Sequence, residues 1–192
     1  MNLFRKSSVD KAIDPVLALK AAKQIYLKAK TQGTKAAVAG GLAMQIYGFT
    51  RATKDIDVVA SGLLDIVSSE TLEFGGEIYR FPLEESSVEI DWIVRSDDKK
   101  LIYEEALKNA EMTEHGFPVI TPEWMVLIKY LAGRGKHQID LMWLLQEPAI
   151  VDRGMVIKIV EDLMGPMAFW AKQDLESVFA EADFRAEREK DQ

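Results

Sequence analysis

The sequence predicts an α/β (α+β) protein in which a small mixed sheet with its helices is followed by an all-helical second half. Three observations carry this. Residues 53–60 and 88–94 alternate polar and apolar side chains with the period of two that a strand imposes. Apolar residues recur at helical spacing before these stretches. Beyond Asp97-Asp98 the helical period takes over entirely. The expected organisation is therefore a core over 1–97, with a basic N-terminal helix, and a helical region over 98–192.

The elements follow in order. Asp14 as N-cap and Pro15 at the first helical position open a helix whose Ala18, Leu19, Ala22, Ile25, Tyr26 and Ala29 share one face, and Gly33 lies beyond its end. Ala36 to Ala39 is a short apolar run that ends in Gly40-Gly41, and Leu42 to Tyr47 restarts a helix that Gly48 closes. In the strand over 53–60, Asp55 and Asp57 share one face while Ile56 and Val58 share the other. In the strand over 88–94, Glu89 and Asp91 oppose Val88, Ile90 and Trp92. Between the two, Leu63 to Glu73 is expected as a helix and Gly75-Gly76 to Leu83 as a turn and strand. Further helices are expected over 101–110, 122–131 after Thr121, 136–146 after the Gly133-Arg134-Gly135 break, 152–163 and 166–188. Trp124, Tyr130, Trp143, Phe169 and Trp170 are spaced as core residues.

Composition excludes several chemistries. The 192 residues contain no cysteine and only two histidines, His115 and His137, so a disulfide framework, a thiolate nucleophile and a zinc site of Cys or clustered His are all ruled out. A metal ion would have to sit on carboxylates. At 48% hydrophobic and 29% charged the chain is that of a folded globular protein, and no stretch approaches the ~18 apolar residues of a membrane span. A cytoplasmic protein with no membrane association is expected. The net charge of −7 hides an asymmetry, because residues 1–35 carry +6 and the remainder −13. That basic end either attracts a polyanion or is a solvated lysine face.

The chemistry concentrates in Gly40-Gly41-Leu42-Ala43, Arg51-Ala52-Thr53-Lys54-Asp55-Ile56-Asp57 and Glu89-Ile90-Asp91. Two glycines between a strand and a helix allow close backbone approach to a ligand, or simply make a tight turn. Carboxylates two residues apart on a strand have Cα atoms about 6.6 Å apart and lean into one space. Crowding like charges there is unfavourable unless a cation intervenes, and a hard, oxygen-liganded ion such as Mg²⁺ suits such a site. A third carboxylate from a neighbouring strand completes a set able to hold two ions, as phosphoryl and nucleotidyl transfer require. Asp91 or Glu89 could supply it. A solvent-facing edge strand is the plain alternative.

Taken together, Gly-Gly, Arg-x-Thr-x-Asp-Ile-Asp and the later Ile-Asp-Trp resemble the nucleotidyltransferase superfamily with its DNA polymerase beta-like fold. Within it the likeness is to abortive-infection-type nucleotidyltransferase toxins of toxin–antitoxin pairs. The resemblance spans about residues 34–146. It implies a triphosphate-binding turn at Gly40 and Gly41, metal ligands at Asp55, Asp57 and Asp91, and Mg²⁺ or Mn²⁺ as the ion. The turn has Gly41 where many relatives have serine. The resemblance also reaches Lys129, Arg134, Lys136 and Asp140, which look like the lysine-rich helix motif ending in an aspartate. It implies that the three basic groups meet nucleotide phosphates and that Asp140 or Asp91 takes the acceptor's proton. The alternative is an ordinary helical ion pair between Lys136 and Asp140.

Transfer of a nucleoside monophosphate from an NTP to an acceptor hydroxyl is thus the expected activity, with an RNA such as tRNA as acceptor and a cognate antitoxin as partner. The competing expectation is a nucleotidyltransferase-fold binding module, an antitoxin or nucleotide sensor with little turnover.

Overall fold

The computed structural model describes residues 12–83, 86–133 and 135–190, with the side chains of Leu83, Ser86, Lys136 and Lys190 excepted. Arg5, Lys6, Asp10 and Lys11 of the basic end, and Arg134, lie outside the described residues. The chain divides into two compact units, 1–119 and 120–192.

The first unit is built on a seven-stranded mixed sheet of order β3-β4-β5-β2-β1-β7-β6. Helix α1 (Pro15–Thr31) starts where expected, because Asp14 Oδ1 accepts from the amides of Val16 at 2.9 Å and Leu17 at 3.2 Å. Ala18, Ala21, Ala22, Ile25 and Ala29 are buried, and these small side chains let the helix lie close against the sheet. β1 (Ala36–Val38) leads directly into α2 (Gly40–Ile46). β1 pairs antiparallel with β2 (Asp55–Ala60), and β2 pairs parallel with β5 (Ser86–Ile93). β4 (Gly76–Leu83) forms an antiparallel hairpin with β5, and β3 (Glu70–Thr71) extends that edge.

One face of this sheet is apolar core. Ile56, Ile90 and Trp92 are fully buried there with Tyr79, and polar tips are satisfied: Trp92 Nε1 donates to the Gly62 carbonyl at 2.9 Å and the Tyr79 hydroxyl donates to Glu77 Oε2 at 2.8 Å. The same Tyr79 oxygen accepts from the Leu64 amide at 3.1 Å. Burial above all, with Glu77 adding to it, pushes the Tyr79 phenol up to about 12.

Two expectations are corrected here. The helix over 63–73 does not form; the segment is irregular up to β3. Its backbone donors are claimed by tertiary acceptors, with Asp65 N donating to Gln32 Oε1 at 2.9 Å and Ser69 N to the Ile78 carbonyl at 2.8 Å, alongside the Leu64 bond. Leu63 and Val67 in this segment are exposed. Nor is the chain beyond residue 97 wholly helical. After α3 (Lys100–Lys108), the short strands β6 (Glu111–Met112) and β7 (Pro118–Val119) form a hairpin, and Val119 pairs parallel with Val38. Burial of Phe117 and Val119 against the sheet outweighs the local pattern.

The second unit is helical: α4 (Pro122–Ala132), α5 (Lys136–Gln146), α6 (Arg153–Leu163) and, after a 3-10 turn at Gly165–Met167, α7 (Ala168–Lys190). Trp124 to Lys129 are all buried, so α4 is the central element. Thr121 is its N-cap residue but makes no side-chain capping bond. Arg153 ties α6 to α7 through two bonds to Asp183, at 2.6 and 2.9 Å, and through a bond to the Leu145 carbonyl at 2.7 Å. The Arg153 bond holds the Asp183 carboxyl below its ordinary range. Phe169 and Trp170, expected in the core, are exposed and touch each other edge to face. Among the described residues, no helix is long and apolar enough to cross a membrane.

Candidate functional site

The register of two parallel strands makes the site. Asp55 is opposite Glu89 and Asp57 opposite Asp91, so all four carboxylate-bearing residues lie on one sheet face in two rows. The strands are about 4.8 Å apart and successive same-face residues about 6.6 Å apart. Ile56 and Val58 point to the core while Asp55 and Asp57 are half-buried, which fixes the face without ambiguity. Slipping either strand by one residue would bury the acids, so the apolar core pins the register of the acidic face.

The Gly-Gly turn closes directly onto this face. The Ala39 amide donates to the Asp57 carbonyl at 2.9 Å, and Gly40 follows with φ +59°. A methyl group placed on Gly40 would lie 1.6 Å from Asp57 Oδ2. Only glycine meets both demands, the left-handed backbone and contact with a carboxylate. At Gly41 a methyl group would fall 2.5 Å from Thr53 Oγ1 and 2.8 Å from Arg51 Nη1. A side chain at position 41 therefore has no room here, because the side chains of Arg51 and Thr53 already fill that volume.

Those two residues belong to the loop that leads into β2. The Thr53 hydroxyl, buried, is 2.9 Å from the Asp55 carbonyl and 3.2 Å from Asp55 Oδ1, which orients that carboxylate. Gln45 Nε2 donates to the Arg51 carbonyl, tying the loop back to α2. At the outer edge, Arg80 on β4 sits opposite Glu89 and pairs with Glu89 Oε1 through Nε and Nη2, each at 3.2 Å. Glu89 is engaged by Arg80, and Asp91 is in register with Asp57.

Two residues near the site carried no sequence signal. Tyr103 on α3 lies within the electrostatic reach of Asp57: burial raises its phenol, Arg95 opposes that, and the charges of Asp57 and Asp97 add to it. Arg95 is held between the rings of Phe74 at 4.5 Å and Tyr103 at 4.9 Å, and its Nε donates to Asp97 Oδ1 at 2.9 Å. That bond lowers the Asp97 carboxyl. A lone Arg after a strand and a lone Tyr in an amphipathic helix have no distinguishing pattern.

Asp55, Asp57 and Asp91 offer the hard oxygen donors that Mg²⁺ or Mn²⁺ takes. Among the described residues no three such groups already converge as a metal-holding cluster. The fit thus lies in donor chemistry and backbone spacing, with side-chain rotation needed to bring the carboxylates together.

In the helical unit, Lys129 Nζ donates to Asp140 Oδ2 at 2.6 Å, and the two side chains are 4% and 1% exposed. The pair joins α4 to α5. Asp140 on α5 is thus paired with Lys129 on the preceding helix. Arg134 and the Lys136 side chain lie outside the described residues.

The mixed sheet, its glycine turn and the following helices form a fold that is similar to that of a solved protein. A solved structure described as an antigenic nucleotidyltransferase-like protein from Paracoccidioides brasiliensis superposes with a TM-score of 0.51 at 13% identity, over 88% of this chain and 95% of that one. No protein-family model and no curated protein matches the sequence.

Proposed function

We propose that this chain is a metal-dependent nucleotidyltransferase that moves a nucleoside monophosphate from an NTP to an acceptor hydroxyl. The observation that carries this is the contact of Gly40 with the Asp57 carboxylate, on the face that also holds Asp55 and Asp91. A glycine turn at a helix start and a carboxylate row meet at one point. The likeness of fold to a protein titled nucleotidyltransferase-like supports the reading.

Asp55, Asp57 and Asp91 would hold Mg²⁺ or Mn²⁺. Bound there, the ion would acidify the acceptor hydroxyl and offset charge on the departing pyrophosphate. Thr53 fixes the rotamer of Asp55, and Arg80 holds Glu89 aside. Gly40 and Gly41 bring the backbone at the start of α2 against the carboxylate face, where the triphosphate would bind. The acceptor oxygen bonds to the α-phosphorus, the α–β bridging bond breaks, and pyrophosphate leaves with the electron pair. Asp91 is the carboxylate assigned to the acceptor's proton, because Asp140 is held by Lys129 and is buried. Arg134 and Lys136 are kept as phosphate contacts, to be tested by NTP titration of Arg134→Ala and Lys136→Ala. The acceptor is taken to be an RNA end, tRNA in the toxin form of the reading, with an antitoxin as its partner.

The deciding experiment is pyrophosphate release from each NTP in turn, with Mg²⁺ and total cellular RNA. Release that requires all three components, and that Asp57→Ala abolishes, is the expected result. Tight NTP binding with no release from any NTP overturns the enzyme reading in favour of a nucleotide-sensing module.

A further inference from the structure

α1 and the turn after it form a basic face unlike any other helix here. Residues 15–35 hold Lys20, Lys23, Lys28, Lys30 and Lys35 and no Asp or Glu, in a chain of net charge −7. Lys23, Lys30 and Lys35 are exposed. Among the described residues, Lys23, Lys28, Lys30 and Lys35 have no carboxylate partner. Other helices lace their basic groups with acids: Lys108 with Glu105 at 2.6 Å and Lys100 with Glu104 at 3.7 Å on α3, Lys172 with Glu161 at 2.8 Å, and Arg185 with Glu181 on α7. The helix dipole favours Lys28 and Lys30 in the last turn, but it gives no reason for Lys23 in the middle or Lys35 beyond the end.

A cavity of about 330 Å³ opens within this face. Lys30 and Lys35 line it together with Tyr26 and Thr34, and Leu107 and Pro118 give it apolar walls. A recess of this size, with one aromatic ring, a hydroxyl and two ammonium groups, has the chemistry of a nucleobase pocket flanked by phosphate contacts. A base held in a duplex cannot enter it, whereas an unpaired base can be splayed out.

We propose that the α1 face binds a single-stranded nucleic acid, with phosphates on Lys23, Lys30 and Lys35 and one base in the recess beside Tyr26. Counterion release from the strand drives the association, and stacking on Tyr26 selects single strands over duplex. As a binding surface this stands independently of the transferase reading. It rests on that reading only in naming the strand as the class of acceptor.

The test is fluorescence anisotropy of a short labelled single-stranded RNA, without NTP or divalent metal. Lys30→Gln/Lys35→Gln is expected to weaken binding about tenfold and to flatten the salt dependence by about 1.4 in log–log slope, the value for two lost phosphate contacts. Tyr26→Leu, which keeps the apolar packing, should weaken binding about fivefold or more. Lys158→Gln/Lys172→Gln removes the same charge from the helical unit and should change affinity by less than twofold. Three results overturn the proposal: wild-type affinity in the Lys30/Lys35 variant, equal losses in both double variants, or duplex RNA bound as tightly as the strand. Asp57→Ala separates the two readings, since it should abolish transfer and leave this binding intact.

Discussion

The two units treat buried and half-buried charge in opposite ways. In the helical unit, Asp140 is taken out of water only together with Lys129, and the pair satisfies itself at 2.6 Å between α4 and α5. In the sheet unit, Asp55, Asp57, Glu89 and Asp91 are set side by side on one face, with Arg80 engaging Glu89 at the edge. The first arrangement is closed, since its charge needs nothing further from outside. The second sets four acids in adjacent positions on one sheet face, where like charges oppose one another. Placed against a turn that only glycine fits, this arrangement is the one on which the proposed binding of metal and phosphate rests.

The contrast can be broken first at the closed pair. Asp140→Asn or Lys129→Met leaves one charge buried without its counter-ion and should cost about 3–5 kcal/mol in urea unfolding, whereas Lys129→Met/Asp140→Leu should recover most of that loss. A single variant that unfolds like wild type would show that the pair does not hold α4 to α5. At the turn, Gly40→Ala forces a Cβ into the Asp57 carboxylate and an unfavourable positive φ, for a loss of about 2–4 kcal/mol together with NTP binding. Gly41→Ser should also destabilise, by about 1–3 kcal/mol, because Thr53 and Arg51 occupy its place. If Gly41→Ser instead tightened NTP binding, the crowding argument would fail.

On the acidic face the expected effect is on activity. Asp57→Ala should abolish pyrophosphate release yet, without metal, leave the melting temperature close to that of wild type. A large drop would make Asp57 a structural residue. The smallest effect is at high pH. Tyr79 in the sheet unit and Tyr130 in the helical unit are both pushed up to about 12, by burial first and then by their bonds to Glu77 and Asp174. Between pH 10 and 12 the unfolded chain therefore releases phenolic protons that the folded chain keeps, and stability should fall as pH rises through that window. Tyr79→Phe and Tyr130→Phe, compared by unfolding at pH 9 and pH 11, should each flatten that fall. Equal slopes in wild type and variants would mean the phenols titrate normally.

What the sequence determined is what local rules encode. Asp14-Pro15 sets the start of α1, because an N-cap acceptor and a proline without an amide are decided within one turn. The alternation around Ile56 and Ile90 assigns Asp55, Asp57, Glu89 and Asp91 to the face opposite the core before any partner strand is known. The helices of the second unit were legible from their period, with boundaries shifted by a residue or two. Tertiary structure decided the rest. Strand pairing brought Asp91 level with Asp57 and gave Glu89 to Arg80, since the pairing of strands thirty residues apart has no local signature. Long-range acceptors on Tyr79, Gln32 and Ile78 unwound the helix expected over 63–73, and Val38 recruited Val119 into the sheet. The need for glycine at Gly40 and Gly41 is likewise non-local. It comes from Asp57, Thr53 and Arg51, which chain closure brings within contact and which no window around the turn contains.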